Sequence, residues 1–136
     1  MRSFRPTLVA LLAAVAIFAI LKQSREILFE AFPNPVFEIF LYSFPNFAEG
    51  IVGFLMTAML LTQASWKVEL LGRFFTLPRL CIVTTLGVGT YVITQELGLH
   101  HVGGAQVYDP YDIAFSIAGL IAGLVIFMWL GPKEAP

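Results

Sequence analysis

The sequence predicts an all-α membrane protein, a bundle of four transmembrane helices forming a single membrane domain over residues 1–136, on three observations. The first is composition. Hydrophobic residues make up 58% of the chain and the mean hydropathy is +0.83. Charged residues make up 12%, about half of the ~25% usual in a soluble domain, which leaves too little water-facing charge to keep such a chain dissolved. The second is a set of four apolar stretches, at about 5–22, 47–64, 80–95 and 111–130, close to the ~20 residues that a bilayer crossing needs. The third is the lack of period-two alternation, which argues against strands.

Span one is bounded by Arg5 and Lys22. Basic residues ahead of an apolar run also describe a signal peptide. The only tidy small-residue cleavage pattern, Ala14 to Ala16, falls in the middle of the run, so an uncleaved first span is expected. The segment 22–46 then carries Ile27, Phe29, Phe32, Phe37, Phe40 and Phe44 between Pro33, Pro35 and Pro45. Its apolar pieces are too short to cross a bilayer. It reads either as one or two short interfacial helices, aromatic side down, or as a loop packed over the bundle. Asn34 before Pro35 is a good helix start, a cap followed by proline at the first helical position. Span four is the clearest, free of charge after Asp112 and with Trp129 near its far end, a level that aromatic residues favour.

Lys and Arg set the expected orientation, since they accumulate in cytoplasmic loops. Arg2, Arg5, Lys67, Arg73, Arg79 and Lys133 fall on one side and only Lys22 and Arg25 on the other. Both termini are therefore expected in the cytoplasm, with 22–46 and 96–110 facing outward.

That orientation gathers the acids of the span ends on the outer face: Glu49 opening span two, Glu96 closing span three beside Gln95, and Asp112 opening span four. Ionisable groups at membrane depth are costly and so are candidates for function. A structural role competes with that reading. Asn46 to Glu49 fits a capping box, and Asp109-Pro110-Tyr111-Asp112 has the same shape. Both acids would suit the positive end of a helix dipole, and Lys22 and Arg25 could pair with them.

Spacing places Asp112, Ser116, Gly119 and Gly123 on one face of span four, and Thr84, Gly87, Tyr91 and Gln95 on one face of span three. Small and hydroxylated residues allow close helix approach in lipid. The two stripes are expected to pack against each other in an antiparallel hairpin, bringing Gln95 towards Asp112.

Several function classes are not expected. The net charge of −1 gives no basic face for nucleic acid. His100 and His101 are adjacent, so they would not share a helix face, and no cysteine or acid stands at metal-ligand spacing to them. No histidine lies within a span to serve as an axial ligand, so neither metal nor cofactor is expected. There is no phosphate loop, Ser-His-Asp set or nucleophile elbow, and a non-enzymatic protein is expected. The lone Cys81 sits in an apolar run as a small packing residue. Four-helix multidrug exporters match the chain in size, but they place an acid within their first span, where residues 7–21 have none.

Residues 90–123, TYVITQELGLHHVGGAQVYDPYDIAFSIAGLIAG, resemble the end of the VanZ-like family of small bacterial membrane proteins. The matching positions are Gln95, Glu96, Asp112, Gly119 and Gly123; Ser116 stands where that family usually has asparagine. The resemblance covers about a quarter of the chain. It implies an envelope protein of the bacterial inner membrane, acting among membrane lipids, with a lipid-related role on its outer face. The alternative is an accessory subunit packed against a larger membrane protein complex through Phe-rich and Gly-rich helix faces. Thirteen phenylalanines motivate that alternative.

Overall fold

Each of the four long helices has a proline within its first two positions. The structure, a computed structural model, describes residues 4–97 and 110–132. Five helices follow in order: α1 (Arg5–Ala31), α2 (Pro35–Lys67), α3 (Glu69–Phe74), α4 (Leu77–Glu96) and α5 (Pro110–Leu130), with no strand among the described residues. Pro6, Pro35, Pro78 and Pro110 occupy the first or second position of α1, α2, α4 and α5. A helix start has no internal partner for its first N–H groups, so proline's missing donor costs nothing there. At α2 the expected cap forms, with the Val36 N–H donating to Asn34 Oδ1 at 2.8 Å. Pro33 stops α1 just after Phe32, whose N–H still donates to the Leu28 carbonyl.

All but α3 are long and apolar enough to cross a membrane. Charge bounds a common slab in them. Arg5 to Lys22, Glu49 to Lys67, Arg79 to Glu96 and Asp112 to Leu130 enclose no other charged residue. At 1.5 Å per residue each covers about 26 Å, close to the ~30 Å hydrocarbon core of a bilayer. The spans expected at 80–95 and 111–130 agree with α4 and α5 to within a few residues.

The segment 22–46 departs from expectation. It is neither an interfacial helix pair nor a loop: α1 continues to Ala31, α2 has already begun at Pro35, and residues 32–34 alone turn the chain. Pro45, which reads as a breaker, lies inside α2. A proline there removes one ladder hydrogen bond and crowds the preceding turn, yet the helix holds because its aromatic face is continuous. Phe37, Phe40, Phe44 and Phe47 touch in succession, with ring centroids 5.5–6.3 Å apart, and Phe40 also meets Phe115 of α5. Across the hairpin the Arg25 guanidinium lies 4.3 Å from the Tyr42 ring centroid, a cation–π contact.

Helix α2 lies at the centre and touches every other helix, most extensively α5. The two run in the same direction, since Phe47 meets Gly119, Phe54 meets Gly123, and Phe54 packs edge-on against Phe127. Three glycines permit the approach. A Cβ on Gly50 would stand 2.7 Å from the Ser116 carbonyl oxygen, one on Gly123 would stand 2.8 Å from Phe54 Cβ, and one on Gly119 would overlap the Phe47 carbonyl. The small-residue face of α5 therefore packs on α2, whereas a hairpin with α4 was expected. On α4 the expected stripe also divides: Thr84 is buried, Gly87 has open space where a Cβ would be, and Tyr91 is 60% exposed. The face that α4 presents to α2 and α5 is instead that of Val88, which would approach a Gly53 Cβ to 3.0 Å, and Gly89, beside Leu120.

Helix α1 is peripheral. Of its most apolar 18-residue stretch 6% is buried, against 33% for α2. At the end opposite the hairpin, Thr7 Oγ1 donates to the Leu130 carbonyl at 3.1 Å, and the Phe4 ring meets Trp66. Short α3 sits at that same end, with Phe75 buried behind it. Its Arg73–Glu69 ion pair is largely exposed and contributes little. Cys81 packs against the apolar core as expected. Some hydroxyls within the helices return to their own backbone: Thr62 donates to the Ala58 carbonyl and Thr85 to that of Cys81, which satisfies them without water.

Candidate functional site at the acidic end

The end of the bundle that carries Glu49, Gln95, Glu96 and Asp112 also carries the first turn beyond the apolar stretch of α1. Glu49 comes from α2, Gln95 and Glu96 from the last turn of α4, and Asp112 from the first turn of α5. Three helices thus bring the acids to one level, and Glu96 lies within electrostatic reach of both Asp112 and Glu49. Glu49, Glu96 and Asp112 thus share one end of the bundle.

Their local roles differ from one another. Asn46 caps nothing, because it lies in the interior of α2, and Glu49 consequently has no helix start to stabilise. The capping-box reading of Glu49 falls with that. For Asp112 the first-turn position stands, since α5 begins at Pro110, while the capping residue proposed for it, Asp109, lies outside the described residues. So do His100, His101 and the rest of 98–109.

A cleft of about 420 Å³ opens beside Glu49. Its walls are Val15 and Phe18 of α1, Ala48, Val52 and Gly53 of α2, and Val88, Tyr91 and Val92 of α4, and Glu49 and Gln95 stand among its lining. Glu49 of α2 and Gln95 of α4, both among the polar residues expected at this face, line the same cleft. Lys22 completes the polar rim. Its ammonium lies 5.5 Å from the Phe18 ring centroid and interacts electrostatically with Glu49. Lys22 is one of the two cations that the sequence offers as partners of these acids, whereas Phe18 escapes a sequence reading because nothing in span one marks which face meets α2. The signal that does exist is on α2, where Gly50 and Gly53 flag the faces that neighbouring helices approach.

A second cleft of about 420 Å³ lies between α4 and α5, lined by Thr85, Gly89, Thr90, Ile93, Leu120 and Leu124 among others. It carries no ionisable group. Chemically, the acidic end offers carboxylates, an amide and one ammonium, suited to holding a charged or hydrogen-bonding group at the edge of an apolar surface. Among the described residues, no three His, Cys, Asp or Glu side chains are placed to hold a metal ion.

No family model, no curated protein and no solved structure matches this chain. The functional argument therefore rests on the residues themselves.

Proposed function

We propose that the chain is a non-enzymatic, VanZ-like integral membrane protein of the bacterial inner membrane, with an envelope- or lipid-related role on its outer face. One observation carries the reading. Glu49, Glu96 and Asp112 are scattered through the sequence on three helices, yet they share one end of the bundle and stand within electrostatic reach of Glu96. Like charges gathered at the edge of an apolar slab repel one another, and a ligand that neutralises them relieves that cost. In this proposal the acidic end faces outward and both termini lie in the cytoplasm, supported by the bias of Lys and Arg towards the other end.

The test is a set of alanine substitutions at Gln95, Glu96 and Asp112, scored by the sensitivity of the producing cells to cell-wall-directed antibiotics. Loss of the wild-type phenotype with unchanged membrane insertion is expected. A folded triple variant that behaves as wild type would overturn the reading. Reporter fusions at each terminus check the orientation, and a periplasmic signal from either end would reverse it.

A second reading, the accessory subunit, has its own support. The peripheral helix α1 exposes Val9, Leu12, Ile17 and Ile20, and the hairpin beyond it exposes Ile27, Phe32 and Val36. A larger membrane protein seated on that face would cover them. Copurification in mild detergent with a stoichiometric partner would favour it; recovery of a lone chain would remove it.

A further inference from the structure

The cleft between α1, α2 and α4 is polar at one end only. Glu49 and Gln95 stand at its mouth, and the remainder of its lining, apart from the Tyr91 hydroxyl, is apolar. A solute that fits such a cleft has a polar head and an apolar tail. The volume of about 420 Å³ lies within the ~300–1,000 Å³ typical of small-molecule sites.

The charges at the mouth narrow the head. Lys22 presents an ammonium beside Phe18, a residue of the cleft wall, and Glu49 faces it from α2. Glu96 of α4 interacts electrostatically with Glu49 and with Asp112 of α5. The mouth therefore sets the Lys22 ammonium against a group of carboxylates. An anionic head would satisfy Lys22 and meet the acids unfavourably. A purely cationic head would do the reverse. A zwitterion satisfies both, its anionic part at Lys22 and its cationic part at the acids. Carboxylates and the Gln95 carbonyl accept hydrogen bonds, so a primary ammonium, which has three donors, suits them better than a quaternary one, which has none.

We propose that this cleft holds one aminophospholipid, with its phosphate at Lys22, its primary ammonium at Glu49 and Gln95, and an acyl chain along Val15, Val52, Val88 and Val92. The proposal rests on reading the acidic end as a ligand-binding surface, and it adds the class of ligand. The apolar contacts discriminate little, because bulk lipid offers the tail similar surroundings. Selectivity resides in the head.

The experiment uses the full chain, purified in detergent and delipidated, then exposed to equal mixtures of phosphatidylethanolamine, phosphatidylcholine and phosphatidylglycerol. Native mass spectrometry reads the lipid retained. The expected result is a single phosphatidylethanolamine, preferred over each of the others by about tenfold, the size of one charge-assisted hydrogen bond. Glu49→Gln lowers that preference, and Lys22→Gln lowers retention of all phospholipids. Val15→Trp, which fills the cleft from the peripheral helix and touches no charge, abolishes retention while helical content stays the same. Equal retention of the three lipids, or retention unchanged by Val15→Trp in folded protein, overturns the proposal. The broader reading fails separately. Should phosphatidylethanolamine be retained as stated while the Gln95, Glu96 and Asp112 variants leave the cells unchanged, the lipid site stands and the envelope role falls. Should the lipid test fail while those variants lose the phenotype, the acidic end keeps its role and the aminophospholipid is wrong.

Discussion

The seam between α2 and α5 and the flank formed by α1 and α4 are built from similar residues and packed in opposite ways. At the seam, three glycines bring backbone against backbone so closely that a methyl group has no room. On the flank, Gly87 faces open space, Tyr91 is largely exposed, and clefts separate α4 from α1 and from α5. Lipid tails are as apolar as leucine, so helices in a bilayer gain little from burying apolar surface and associate through close contact. By that measure the α2–α5 pair is the frame of the molecule. The flank is held at fewer points, and its gaps are where a ligand can enter. Glycine content alone would not distinguish the two regions; what differs is whether a neighbour stands opposite the missing Cβ.

Substitutions at the seam should produce the largest effects. Gly119→Leu places a branched side chain where the Phe47 backbone stands, and a loss of about 3 kcal/mol or more is expected. Gly50→Ala adds one methyl against the Ser116 carbonyl and the Leu120 amide, for about 1–3 kcal/mol. Thermal unfolding in detergent checks both; wild-type stability in either variant would mean that the seam is not the frame.

A middle-sized effect is expected where flank and seam are joined. Thr7→Val keeps shape and removes the hydrogen bond to the Leu130 carbonyl, costing about 1 kcal/mol. The loss should be local, seen as faster labelling of single cysteines placed along the buried side of α1, with α2 and α5 unaffected. Uniform loosening of all three helices would show that α1 belongs to the frame after all.

The smallest effect belongs to the flank itself. Gly87→Ala meets nothing within 4 Å, so a change of about 0.5 kcal/mol or less, in the stabilising direction, follows from the reduced freedom of the unfolded chain. A destabilisation comparable to that of Gly50→Ala would erase the contrast between the two regions.

The same contrast explains what the sequence made legible. Four apolar, charge-free stretches are visible directly, because hydropathy and the placement of Lys, Arg, Asp and Glu report on the solvent that each residue meets. Which helices touch is another matter. Stripes on adjacent spans invite a hairpin between them, since neighbours in sequence usually pack together. Here the stripe on α5 found its partner in α2, and Gly50 and Gly53 were the residues that could have shown it. The hairpin beyond the slab was hidden by Pro45, treated as a boundary although Phe37, Phe40, Phe44, Phe47, Ile51 and Phe54 continue a helical spacing straight through it. Reading that period across the proline would have extended α2 to Asn34 and removed the capping role of Glu49. The gathering of Glu49, Glu96 and Asp112 was legible because each lies at the edge of the slab. The place of Lys22 beside Phe18 was not, for it depends on the rotation of α1 about its own axis.

The hydrogen bond from Thr7 to Leu130, with Phe4 against Trp66 close by, has a consequence for connectivity. The start of α1 and the finish of α5 meet at one end of the bundle, so the described chain is nearly a closed loop. Joining those ends by a short linker and opening the chain at the three-residue turn 32–34 would move α1 from first place in the sequence to last. The central helix would then lead, and the peripheral one would be added to a core already assembled.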